Sequence, residues 1–236
     1  MNSAYLQKVI AMKSLIPSLV LAAALHSVSA QAATPSLIND GFEAGWTSYG
    51  LVGSDGHVTF VYRPAGPDIG WTFQGGGGVA GNYDALTAYE GQRFGLLQLG
   101  NPADLVGASG ASFTQSFSLD VASTVDLSFA LALRPGYRAG QQVAVALDGQ
   151  VVHTFATASG WHVQNLALGD LAAGTHVLGF AGTAAYAVYG DTTAYIDAVR
   201  LNATPVPPPV PEPDSWALML AGLGVTGLIA RRRLSV

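Results

Sequence analysis

Strict alternation of apolar and polar residues is the feature that most limits what this chain can fold into. In the segment TVDLSFALAL, apolar side chains occupy every second position from Val125 through Leu133. Residues two apart share one face of a strand, whereas a helix would distribute them around its surface. The segment therefore predicts a β-strand with one buried face.

The same period of two recurs through the middle of the chain. SFTQSFSLDV carries it, and THVLGFAG, TTAYIDAVRL and GQRFGLLQLG are further candidate strands. In QVAVALDGQVVHTF, Asp148 and Gly149 stand between two such runs, which indicates a two-residue hairpin. Because no sustained helical period interrupts these runs, we predict an all-β fold, a single jelly-roll β-sandwich over residues 33–203.

The charge distribution excludes some classes of binding partner. Between Ala33 and Thr204 the chain has five arginines, no lysine and thirteen acidic residues, and the whole chain has a net charge of -5. Such an acidic segment does not attract nucleic acid or an anionic lipid surface. The chain has no cysteine, which excludes disulfides and thiolate metal sites.

Residues 1–32 predict a secretory signal peptide that folds as an N-terminal signal helix. Lys8 and Lys13 precede an apolar stretch of eleven residues, and the small-x-small sequence Ala30-Gln31-Ala32 follows it. An amphipathic helix is the alternative, but the apolar stretch has no polar face. We therefore expect export, with cleavage after Ala32.

The C-terminal tail has three parts in a fixed order. A Pro-rich linker over 204–215 contains the triplet Pro211-Glu212-Pro213, an uncharged run covers 216–230, and a basic tail over 231–236 begins with Arg231, Arg232 and Arg233. Fifteen residues form a helix about 22 Å long, which is short for a hydrocarbon layer of about 30 Å. We predict a short transmembrane helix over 216–230 that holds the chain temporarily, with the arginines on the cytoplasmic side.

These ordered parts resemble the PEP-CTERM sorting signal. The resemblance implies processing by an exosortase, a membrane enzyme of Gram-negative bacteria that carries the catalytic residues for this step. It further implies export, an intermediate held in the inner membrane, cleavage near the triplet, and delivery to the cell surface or extracellular matrix.

The central segment resembles the galactose-binding-like β-sandwiches, which include many carbohydrate-binding modules. LINDGFEAGW matches the opening Asn-x-x-Phe-Glu strand of that family, and GWTFQGGGG, YEGQRFGLLQLG and AYIDAVRL match later parts in order. The resemblance implies a structural Ca²⁺ held by Glu43 and Asp197, and carboxylate oxygens are ligands that Ca²⁺ prefers. The alternative is that Asp197 faces solvent and Glu43 caps a turn.

Sugar binding requires aromatic side chains beside polar groups, and several are available. They are Trp46, Trp71, Tyr83, Tyr89, Trp161, Tyr186 and Tyr189. Trp71 and Trp161 stand at strand starts, where a core position is the more common outcome. The four histidines of the segment 33–203 stand singly and predict ordinary surface or strand positions; they are His57, His153, His162 and His176. The run Gly75 to Gly78 predicts a flexible turn.

The sequence contains no nucleophile elbow, P-loop or metalloprotease motif, so we expect a protein that is not an enzyme. The leading interpretation is an exported surface or matrix protein that binds polysaccharide. A purely structural matrix component is the second. A hydrolase is the third, because an inverting glycosidase needs only two carboxylates about 6.5–9.5 Å apart.

Overall fold

The computed structural model describes residues 35–44, 51–52, 58–81, 86–99, 110–136, 141–184, 192–207 and 215–233. The regular elements of this part of the chain are antiparallel strands and one helix. The chain divides into two compact units, residues 1–30 and 31–236. The first unit, and with it the predicted signal peptide, lies outside the described residues.

In chain order the strands are β1 (Leu51–Val52), β2 (Val58–Tyr62), β3 (Thr72–Gly75), β4 (Gly77–Gly81), β5 (Arg93–Leu99), β6 (Ala111–Leu119), β7 (Ser123–Leu133), β8 (Gln141–Leu147), β9 (Gln150–Ala156), β10 (His162–Leu171), β11 (Gly174–Ala184) and β12 (Thr192–Pro205), followed by helix α1 (Ser215–Arg233). Sheet A has the order β1-β2-β4-β5-β12-β7-β10, and sheet B has the order β3-β6-β11-β8-β9. The predicted all-β sandwich is confirmed.

The main core lies between the inner faces of the two sheets. On β7 the side chains from Val125 to Leu133 at alternate positions are all buried, as the alternation predicted. Phe113 and Phe180 of sheet B pack 5.4 Å apart between ring centroids, and Phe180 lies 5.1 Å from Phe129 of sheet A. Aromatic rings from both sheets therefore fill the centre of the sandwich.

The predicted hairpin at Asp148 and Gly149 is confirmed. These residues join β8 to β9, with φ values of 51° and 80°. Two consecutive positive φ values match the right-handed twist of paired strands, and an Asp-Gly pair adopts them readily.

The glycine run differs from the predicted flexible turn. Gly75 and Gly76 carry the chain from β3 in sheet B to β4 in sheet A, whereas Gly77 and Gly78 are buried strand residues. A Cβ atom at Gly77 would lie 2.3 Å from the Ser112 carbonyl oxygen. Close backbone approach, rather than flexibility, requires glycine here.

The opening segment over 35–44 consists of turns, so the predicted opening strand is wrong for these residues. Asn39 and Phe42 have φ values of 54° and 61°, and the Asn39 side chain accepts a hydrogen bond from the Ala44 amide at 2.7 Å. Phe42 is fully buried and stacks on Trp71 at 5.4 Å between centroids. The segment therefore turns back on itself so that one aromatic ring enters the core.

Helix α1 covers the apolar run that the sequence indicated for 216–230. Its exposed apolar side chains include Leu218, Leu223 and Ile229. In the described part of the chain, however, no helix has both the length and the apolar character that a membrane crossing requires.

Candidate functional site

An irregularity in β12 organises the outer face of sheet A. Asp197 pairs with Ala130 and Arg200 pairs with Ser128, so the register shifts by one residue between them. Ala198 has a φ of 49°, which marks the extra residue. A bulge of this kind reverses which side chains face the core. Val199 therefore points into the core, and Arg200 lies on the outer face.

Asp197 is a buried carboxyl on this face, with 0% of its surface exposed. Its Oδ2 atom accepts a hydrogen bond from the Glu90 amide at 3.0 Å, and its Oδ1 atom accepts one from the Ala198 amide at 2.7 Å. Burial raises the pKa of Asp197 to about 7, although these amides act in the opposite direction. The alternative that Asp197 faces solvent is wrong.

Glu43 is exposed and caps the turn that leads into β5. Its Oε1 atom accepts hydrogen bonds from the amides of Gln92 and Arg93, both at 2.8 Å. The Arg93 guanidinium donates to the Glu43 carbonyl at 2.6 Å. Glu43 and Asp197 thus contact the same stretch of chain, residues 90–93. Each of them does so by accepting hydrogen bonds from backbone amides.

Arg200 links two further acids beside this stretch. Its guanidinium contacts Asp40 at 2.7 Å through Nη1 and contacts Glu90 through Nη2. The one cation and two carboxylates have a formal net charge of -1, so this cluster does not favour an anionic ligand.

The two carboxylates named for calcium, Glu43 and Asp197, lie near each other around Gly41. Asp197 Oδ1, Glu90 Oε1 and Glu43 Cγ all lie within 4.0 Å of the position that a Cβ atom on Gly41 would take. Even so, among the residues that the structure describes, no group of three acidic or histidine side chains converges closely enough to hold a metal. Both Asp197 oxygens and Glu43 Oε1 already accept backbone hydrogen bonds.

A polar groove of about 440 Å³ begins at Arg200 and crosses strands β12, β7 and β10; we call it the outer groove. Ser128 pairs with both Arg200 and Asn165, and Asp126 pairs with both Asn202 and Ala167. These pairings place the six side chains in two rows across three neighbouring strands on one face. The outer groove therefore presents polar groups at regular intervals.

The polar side chains of the outer groove have unused hydrogen-bonding capacity. Asp126, Ser128, Asn165 and Asn202 make no side-chain hydrogen bond to another residue within the described ranges. In the next row, by contrast, Thr124 donates to Asp170 at 2.5 Å. The sequence alone does not predict this groove, because only strand pairing brings its residues together.

Two aromatic side chains continue the same face beyond the outer groove. The Trp161 ring lies 6.2 Å from the Tyr89 ring and donates from Nε1 to the Thr87 carbonyl at 2.8 Å. Tyr89 is 49% exposed. Trp71 is buried in the main core, as its position at a strand start suggested. The other aromatic candidates, Trp46, Tyr83, Tyr186 and Tyr189, lie outside the described residues.

His176 takes part in a pair that the sequence analysis also missed. Its Nδ1 lies 2.9 Å from Asp148 Oδ2, and its Nε2 lies 3.0 Å from the Ala172 carbonyl oxygen. The hydrogen bond with Asp148 raises the pKa of His176, and the same bond lowers the pKa of Asp148. The pair connects the β8–β9 hairpin to the β10–β11 turn. His57 lies outside the described residues.

The sorting residues are only partly described. Pro211, Glu212 and Pro213 lie outside the described residues, and Arg231, Arg232 and Arg233 form the end of α1. Residues 209–233 match the family model of the PEP-CTERM protein-sorting motif. The predicted sorting signal is therefore confirmed, while the roles of the individual residues stay predictions.

Several solved carbohydrate-binding modules are similar to the chain. TmCBM61 in complex with beta-1,4-galactotriose has 15% identity and a TM-score of 0.44, and the match covers 73% of this chain and 100% of that one. A family 35 module from Clostridium thermocellum has 13% identity and a TM-score of 0.38, with coverage of 56% and 90%. CBM36 in complex with calcium and xylotriose has 18% identity and a TM-score of 0.34, with coverage of 53% and 87%. These likenesses concern the fold alone. No curated protein matches the chain in sequence.

Proposed function

We propose that this chain is an exported, non-enzymatic protein of the cell surface or extracellular matrix, processed by an exosortase and binding polysaccharide through its β-sandwich. The sorting motif over residues 209–233 is the observation that carries the proposal. A motif of this kind delivers the domain that precedes it, and here that domain is a sandwich with an open polar groove.

The order of segments supports the route. A signal peptide over 1–32 directs export, and the sorting motif over 209–233 presents the chain to an exosortase in the inner membrane of a Gram-negative cell. Cleavage near the Pro-Glu-Pro triplet then releases the sandwich to the surface.

The route is tested by substituting the central residue of the triplet. In a host that has an exosortase, Glu212→Gln leaves full-length protein in the membrane fraction, whereas the unaltered chain appears at the surface in a shortened form. Asp214→Asn, just outside the triplet, is the matched control and is processed normally. Immunoblots of cell fractions measure both forms, and equal processing of the two variants contradicts the proposal.

The outer groove supports polysaccharide binding over the alternatives. Its volume of about 440 Å³ is within the range of small-molecule sites. A purely structural matrix protein has no need of such a groove. A glycosidase needs two carboxyl groups around the scissile bond. Of the described residues that line the groove, only Asp126 is acidic, which favours binding over hydrolysis.

Binding of a structural calcium ion is a second part of the proposal. Glu43 and Asp197 are the carboxylates that would supply its oxygen ligands, after exchanging their backbone hydrogen bonds for the ion. A cation there would compensate the buried charge whose cost is visible in the raised pKa of Asp197.

A further inference from the structure

We propose that the outer groove is the glycan site and that its ligand is a neutral polysaccharide chain rather than a polymer of uronic acids. The inference rests on the proposed function and adds the location of the site and the chemical class of the ligand.

The polar side chains of the outer groove match the hydroxyl groups of a sugar chain. Asp126 accepts hydrogen bonds, Asn165 and Asn202 both donate and accept, and Ser128 does either. With strands about 4.8 Å apart, three strands place these groups across about 10 Å. Because their side chains have no partner among the described residues, a ligand gains hydrogen bonds there without breaking any within the protein.

The charges around the outer groove favour a neutral sugar over a uronic acid. Arg200 is the cation at the groove, and it is paired with the two carboxylates of Asp40 and Glu90. The Asp126 carboxylate is open to the groove. A uronate polymer would bring further carboxylates towards Asp126 with no free cation among the described lining residues. A neutral sugar instead donates a hydroxyl to Asp126, and hydrogen bonds to a charged acceptor are the stronger kind.

The same face of sheet A continues from the outer groove towards aromatic side chains. Along β10 the outward side chains after Asn165 are Val163, 52% exposed, and then Trp161 just before the strand. At about 3.3 Å per residue, Trp161 lies about 13 Å from Asn165. Its neighbour Tyr89 offers an exposed ring, which can pack against the apolar face of a sugar. We therefore infer a site that binds several consecutive sugar units.

Binding of the full-length chain to soluble polysaccharides tests the inference. The probes are neutral galactan, glucan and mannan, with polygalacturonate as the uronic-acid polymer, measured by affinity electrophoresis and calorimetry. Asp126→Ala removes the charged acceptor, and Ala167→Trp fills the groove with a large side chain. Gln142→Ala is the matched control, because Gln142 is an exposed polar residue on β8 of the other sheet. Thermal melts establish that each variant is folded.

We expect one of the neutral polymers to bind, with an affinity that changes little with salt because the ligand has no charge. Asp126→Ala then weakens binding about tenfold or more, Ala167→Trp does the same, and Gln142→Ala leaves it unchanged. If a neutral polymer binds equally to all variants, the groove assignment is overturned while the proposed function stands. Stronger, groove-dependent binding of polygalacturonate overturns the ligand class. If no polymer binds, both the binding function and this inference fail.

Discussion

The buried carboxyl of Asp197 predicts that the protein loses stability as the pH rises from acid to neutral. Burial raises the pKa of this group from 3.8 to about 7. The folded chain therefore holds a proton that the unfolded chain releases at lower pH. Folding takes up this proton between pH 3.8 and about 7, so the free energy of unfolding falls across that interval. An ordinary ion-paired aspartate has a lowered pKa, so its contribution to the free energy of unfolding rises with pH instead.

The magnitude follows from the size of the shift. Each unit of pKa difference corresponds to about 1.36 kcal/mol, so a shift of about three units gives about 4 kcal/mol. Below pH 3.8 the group is protonated in both states and contributes no slope. Above about pH 7 it is ionised in both, and the full cost of the buried charge is present.

Urea denaturation of the full-length chain in a chelating buffer, at pH values from 4.5 to 8, measures this slope. Asp197→Asn serves as the comparison because it keeps the shape and removes the titration. We expect the variant to be less stable at pH 4.5. The side-chain NH2 group of the asparagine then faces a backbone N–H group, and two donors cannot form a hydrogen bond. Its stability, however, should change less with pH than that of the unaltered chain.

Equal slopes for the two chains would refute the argument that Asp197 is a buried, uncompensated acid. The same titration tests the calcium proposal. If calcium binds Asp197 and Glu43, adding it at pH 7.5 raises the free energy of unfolding, since the ion binds only the folded chain. No change with calcium at pH 7.5 would remove calcium from the proposal.

Two further predictions concern packing and surface charge. The pair formed by His176 and Asp148 raises the pKa of the histidine and lowers the pKa of the aspartate. It therefore stabilises the fold between pH 3.8 and pH 6.5, and this contribution is lost as the pH rises through the pKa of His176 in the folded chain. Because Asp148 is half exposed, His176→Gln should cost about 0.2–1 kcal/mol at pH 5.5 and less at pH 8 in thermal melts; an equal cost at both pH values would contradict this. Gly95→Ala places a Cβ atom 2.8 Å from the Phe42 ring, which should cost about 1–3 kcal/mol in urea denaturation. Gly81→Ala is the control, because the nearest atom to its Cβ lies at 3.7 Å. The cost of Gly95→Ala should shrink in a Phe42→Leu background, and full additivity of the two substitutions would show that the residues are not coupled.

Several strands, β5 to β9, β11 and β12, could be predicted from the sequence because each has a local period of two. The alternating run of β7 and the Asp148-Gly149 hairpin are properties of a few consecutive residues, and both are confirmed. The glycines of β4 could not be assigned in this way. What excludes a side chain at Gly77 is the carbonyl oxygen of Ser112, 35 positions later in the chain.

The Asp197 region shows the same limit. The sequence indicated that Glu43 and Asp197 are brought together, and both do contact the stretch 90–93. The partners are backbone amides, which every residue carries and which leave no mark in the sequence. A pair of acids that suggests a metal site can therefore be satisfied by backbone N–H groups instead.

The sequence of β12 does contain one signal for the outer groove. In AYIDAVRLNAT the buried apolar residues Ala194 and Ile196 keep a period of two, but the next ones, Val199 and Leu201, continue it one position out of phase. A strand without an extra residue would direct Arg200 and Asn202 into the core, where an unpaired charge is very costly. The bulge at Ala198 removes that cost by turning both side chains outward. Asp197 lies on the outer face by the alternation that precedes the bulge, because Ala194 and Ile196 face the core, and its carboxylate accepts the Glu90 amide there. The extra residue then keeps Arg200 and Asn202 on that same face, so the buried acid and the groove residues follow one another along one side of β12.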